Sequence, residues 1–171
     1  LKHNDYILDK DGKRSLVRPC GYKTGLTYDV LEYQRVAATD KNINLVADQI
    51  QTNLTKDFLS NDFKRRYNTD GHQHRGLCVV ATMVLLYLVD SEDLVPMSAT
   101  DNESLRHWWV QSLSTSNHYD ITKNQYGHRE LRRLYNNGKI TPYYGWGQRP
   151  AARFLDLIEE IQPTAVRVLC D

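Results

Sequence analysis

The chain has 171 residues, long enough to bury one sizeable core and too short for two. Apolar residues make up 40% and charged residues 25%, a balance that excludes a disordered, collagen-like or coiled-coil chain. Twenty-two basic residues against 21 acidic ones leave a formal charge of +1, so no global field draws the protein to nucleic acid or to a membrane surface.

Residues 1–25 are polar and read as an irregular arm or a weak hairpin around Asp11-Gly12. From Thr27, a plausible N-cap, Val30, Leu31 and Val36 follow in a pattern that predicts a helix. A second helix is expected from about Lys41, with Ile43, Val46, Ala47, Ile50 and Leu54 on one face. A short third segment carries Phe58, Leu59, Phe63 and Tyr67. Its basic run Lys64-Arg65-Arg66 reads as a solvated helix face, with an anionic-ligand patch as the alternative. A polar loop, 68–76, leads into the apolar stretch from Leu77 to Val89, which falls short of the roughly 20 residues a bilayer requires and predicts a buried helix instead. Residues 91–103, with Pro96 inside, read as a loop. Arg106 to Ser112 alternates like a strand, and His118 to Ile121 reads as its return across a Ser/Thr-rich turn. Helices are expected at 128–135 and 149–161, turns at 136–138 and 145–147, and a final strand at 164–169. The sum is an α+β fold in a single domain, with a helical part at 1–69 packed against a second part at 70–171.

Three cysteines, Cys20, Cys78 and Cys170, are too few and too scattered for a disulfide framework. No apolar run opens the sequence, so no signal peptide is visible and a cytoplasmic location is expected. Cys78 lies at the expected start of the buried helix, where unpaired N–H groups and the helix dipole favour a thiolate; a buried structural cysteine is the plainer reading. His107 sits in the expected strand, and Asp120 follows 13 residues later on its return. If the hairpin turns at Ser114-Thr115, Trp109 opposes Asp120 and His107 opposes Thr122. Imidazole and carboxylate then share a face as diagonal neighbours, whereas a shift of one residue would separate them. A cysteine at a helix start followed by a histidine and a carboxylate on adjacent strands is the order of a papain-type site.

At these residues the chain resembles a family. Gly76-Leu77-Cys78-Val79-Val80-Ala81-Thr82, then His107-Trp108-Trp109, then Asp120-Ile121-Thr122-Lys123-Asn124-Gln125-Tyr126 is similar to the YunG-like group of small bacterial and phage proteins. The likeness runs over about residues 70–161 and includes Tyr143 to Arg153. It departs from that pattern at Leu77, where many relatives carry histidine, and at Gln148-Arg149-Pro150-Ala151 before the last helix. The resemblance implies a papain-like fold related in outline to the NlpC/P60 group, with Cys78, His107 and Asp120 as triad, and it names no substrate.

Gln73, five positions before Cys78, is a candidate oxyanion donor or an ordinary loop residue, and Gln125 a second site residue or a turn support. Trp108, Tyr144 and Trp146 are candidates to line a substrate groove, with core packing as the alternative. His72, His74 and Cys78 fall short of a zinc ligand set, so no metal or other cofactor is expected. The expected activity is a cysteine hydrolase or acyl-transferase acting on a peptide, protein or small amide. The alternative is a non-catalytic phage- or host-interaction protein that binds through its aromatic and basic surface.

Overall fold

The fold is seen in a computed structural model that describes residues 5–8, 14–17, 28–67, 72–141, 152–163 and 166–170. Strands β1 (Asp5–Leu8) and β2 (Arg14–Val17) pair antiparallel, consistent with the hairpin expected there. The helix expected from Thr27 is instead strand β3 (Tyr28–Glu32). Its partner is the last strand of the chain, β10 (Val166–Cys170), with Cys170 opposite Tyr28 and Val166 opposite Glu32. Local apolar spacing could not reveal a partner so distant in sequence, and Val30, Val166 and Val168 suit a strand better than a helix. A two-residue strand, β4 (Val36–Ala37), runs parallel to β5 (Val89–Asp90). Residues 1–69 therefore mix strands with helices and are not a helical unit.

Helix α1 (Asp40–Asn53) begins where the Thr39 hydroxyl accepts from the Asn42 N–H at 3.2 Å, and it buries Ile43, Val46 and Ile50. The short α2 (Asn61–Arg66) is capped by Ser60, and Asp62 pairs with Arg65 and Arg66 along its exposed face. The basic run is thus a solvated helix face. Helix α3 (Cys78–Leu88) carries no charge and buries ten of its eleven residues. A helix apolar all round has to be surrounded. It lies between α1, α5 (Ala152–Ile161) and a sheet.

That sheet has the order β8-β7-β6-β9 and is antiparallel throughout. Its long strands are β6 (Leu94–Thr100) and β7 (Arg106–Ser112), flanked by β8 (His118–Tyr119) and β9 (Lys139–Ile140). β6 occupies the stretch read as a loop. Pro96 is tolerated because its nitrogen shares the β9 side with its carbonyl, which accepts from the Thr141 N–H at 3.0 Å just past the end of that two-residue strand, so the missing N–H removes no bond to β7. The β7–β8 register pairs Val110 with Tyr119 and Gln111 with His118, which extends to Trp109 opposite Asp120 as the sequence implied.

The two faces of β7 pack differently. Trp108 and Val110 join the core around α3. Trp109 lies on the other face with Val95 and Met97, against Tyr135 of α4 (His128–Asn136). Gly138, just beyond α4, makes room for that indole: a Cβ there would sit 2.5 Å from Trp109 Cζ2. The described residues contain no helix long and apolar enough to cross a membrane. Replacing Gly138 with alanine should destabilise the protein by about 1–3 kcal/mol, measured by chemical denaturation, since the rigid ring system must shift to admit the methyl group.

Candidate active site

Gly76 sets the position of Cys78. It adopts a φ of +81°, and a Cβ there would lie 2.6 Å from the Phe63 ring and 2.7 Å from Leu59. Only glycine satisfies both conditions. The preceding loop is fastened to the turn after β8, where the His74 ring nitrogen Nδ1 meets Asn124 Oδ1 at 3.0 Å. Helix α3 then starts at Cys78, which is 6% exposed and is a free thiol. Its sulfur donates to the carbonyl of Arg106 at 3.7 Å, one residue before His107.

His107 is wholly buried and donates from Nε2 to Asp120 Oδ2 at 2.7 Å. The same oxygen accepts from the Tyr135 hydroxyl at 2.9 Å. The imidazole lies between Trp109, stacked at 5.7 Å, and Tyr126, edge-on at 4.7 Å. Burial, the largest single influence, drives the His107 pKa down. Hydrogen bonds from Asp120 and Cys78 and the charges of both groups together outweigh it and push the pKa up to about 10. Nδ1 is buried without a hydrogen-bond partner, and Cys78, whose thiol is bonded to the Arg106 carbonyl, lies near enough to the ring to favour its protonated form.

Cys78 opens onto a cleft of about 310 Å³ whose walls include Arg75, Glu103, Arg106, Gln125 and Tyr126. Arg75 and Glu103 bridge each other at 2.5 Å across one wall. Asp101 anchors the β6–β7 turn, accepting from the N–H groups of Glu103 and Leu105 and from the Tyr126 hydroxyl at 2.8 Å. Burial and the carboxylate of Asp101 raise the Tyr126 pKa, so the phenol stays a donor.

Cys78, His107 and Asp120 thus converge, and Gln125 lines the same cleft with its amide nitrogen buried and unpartnered. Gln73 is exposed and does not line the cleft, because the turn at 73–76 directs it outward. Trp108 is no groove residue either: strand alternation sends its ring into the core beside α3. Tyr144, Trp146 and Cys20 lie outside the described residues, as does the side chain of Cys170. No group of three or more His, Cys, Asp or Glu side chains placed to hold a metal ion, His72, His74 and Cys78 included, occurs among the described residues. Sequence reasoning passed over Tyr135. The signal was there in the spacing of Leu131, Leu134 and Tyr135, the one apolar stripe on an otherwise basic helix. No protein-family model matches this chain, and no curated protein or solved structure is significantly similar to it.

Two outcomes follow from this geometry. Gly76→Ala should cost about 1–3 kcal/mol of stability, because alanine can neither hold that φ nor fit against Phe63. His107 has a folded pKa of about 10 against an ordinary 6.5, so the folded state holds its proton more tightly than the unfolded state. The stability it contributes is complete below pH 6.5 and is lost as pH rises through 10. Denaturation at pH 7 and pH 10 should show a larger alkaline loss for the native protein than for His107→Gln.

Proposed function

We propose that the protein is a papain-like cysteine hydrolase or acyl-transferase that acts on the carbonyl of an amide in a peptide, protein or small molecule. The observation that carries this reading is the buried His107–Asp120 pair beside a helix-start cysteine that opens onto a cleft. The resemblance of residues 70–161 to the YunG-like group, carried by these same residues in the same order, is in keeping with this reading. The scarcity of cysteine favours a reducing, cytoplasmic setting, bacterial or, for a phage protein, that of the host.

In this reading the thiol proton resides on His107 Nδ1, so that Cys78 stands as a thiolate beside an imidazolium, the partner that a nucleophilic thiolate needs. Asp120 at Nε2 stabilises that cation and fixes the ring. The sulfur attacks the carbonyl carbon, and the carbonyl π pair moves to oxygen. The N–H groups at the start of α3 and the Gln125 amide, in place of the exposed Gln73, receive the oxyanion. As the tetrahedral adduct collapses, the C–N bond breaks and His107 gives its proton to the departing amine. A water molecule completes hydrolysis of the thioester, or an amine completes transfer.

Iodoacetamide at neutral pH should alkylate Cys78 well ahead of Cys20 and Cys170, with sites and rates read by peptide mass spectrometry. Equal rates at all three would remove the enzyme reading and leave a binding protein on the same fold. Against an amide substrate found by activity profiling, Cys78→Ala should abolish turnover. Asp120→Asn should retain the fold and lower turnover by about ten- to a hundredfold, because the amide oxygen can still accept from His107.

A further inference from the structure

Asp120 holds two donors on one oxygen, and its other oxygen, Oδ1, is buried with no hydrogen bond. A carboxylate fixed through one atom can swing about its terminal torsion unless a second donor of known direction holds it. The Tyr135 hydroxyl is that second donor. Its own placement is tightly determined. The ring stacks on His118 at 4.1 Å and 13° and tilts against Trp109 at 5.1 Å. His118 is fixed in turn, because Trp109 Nε1–H donates to its Nδ1 at 3.1 Å. That bond requires an unprotonated Nδ1, and burial keeps the His118 pKa low despite the pull of Asp120. Trp109 also stacks on His107. His107, Asp120, Tyr135 and Trp109 therefore close a ring of contacts in which each residue touches the next.

Within the cysteine-hydrolase reading, on which this rests, we infer that Tyr135 is a positioning residue that locks the Asp120 carboxylate onto His107. It touches neither the cleft nor Cys78, and it acts through the carboxylate alone. Burial first, and the charge and hydrogen bond of Asp120 next, raise the Tyr135 pKa, so the phenol remains a donor across the working range of pH.

The test compares Tyr135→Phe, which removes only the hydroxyl, with Tyr135→Leu, which also removes the ring. The readout is the proton resonance of His107 Nε2–H, assigned by its loss in His107→Gln. A positioning role predicts that Tyr135→Phe, with native chemical-shift dispersion retained, shifts or abolishes this resonance. Tyr135→Leu should then have at least as large an effect. An unmoved resonance in Tyr135→Phe would overturn the inference and leave Tyr135 a packing residue, as would a change seen only in Tyr135→Leu. Loss of fold in Tyr135→Phe would also overturn it, since the hydroxyl would then be needed for structure. In the same samples, alkylation of Cys78 should slow by about tenfold or more in Tyr135→Phe, the effect of losing one hydrogen bond to a charged group. The resonance reports on the Tyr135 contact whether or not Cys78 is reactive. A sluggish Cys78 in the native protein would therefore count against the hydrolase reading and not against the link between Tyr135 and Asp120.

Discussion

A carboxylate and an imidazole buried together are the constraint around which this chain is arranged. Removing either from water is costly, and removing one without the other is costlier still. Asp120 and His107 are both nearly inaccessible, so every contact around them has to offset desolvation or hold the geometry in which they offset each other. The β7–β8 register places them diagonally, Tyr135 supplies a second donor to the same carboxylate oxygen, and Trp109 and Tyr126 enclose the imidazole. The charge balance that results favours the protonated ring, although burial alone would expel the proton.

The position of the cysteine depends on a different kind of constraint. Nothing about a thiol requires it to stand beside a histidine. The chain is brought there by backbone geometry: a glycine in the left-handed region, packed where no side chain fits, turns the loop into α3. The helix is then held because it is apolar on every side and is enclosed by α1, α5 and the sheet. An electrostatic pair on a strand and a steric turn before a helix thus meet at the Arg106 carbonyl, where the thiol is bonded.

The parts of this arrangement that were legible in the sequence are those encoded locally. The apolar run of α3, broken only by Thr82, the alternation of β7 and the Ser/Thr-rich turn with its 13-residue spacing are all short-range signals, and the last two implied the His107–Asp120 register. What was misread depends on distant partners. β3 pairs with the distant tail at Val166–Cys170, and β6 accommodates a proline because the missing N–H faces the β9 side and not β7. Trp108 looked like a groove residue until alternation along β7 was joined to the location of α3, which no window of sequence contains. Gln73 and Gln125 illustrate the same limit: proximity along the chain favoured the first, and the fold puts the second in the cleft.

The lengths of the strands carry one more consequence. The two long strands of the four-stranded sheet, β6 and β7, are interior, and the outer positions are taken by β8 and β9, each two residues long. An unsatisfied row of backbone donors and acceptors is what lets one sheet extend into another molecule's sheet, and β8 and β9 themselves offer only two residues each for such pairing. Very short outer strands, one of them carrying Lys139, together with Pro96 on the side of β6 that faces it, are devices that discourage another molecule's strand from adding to this sheet.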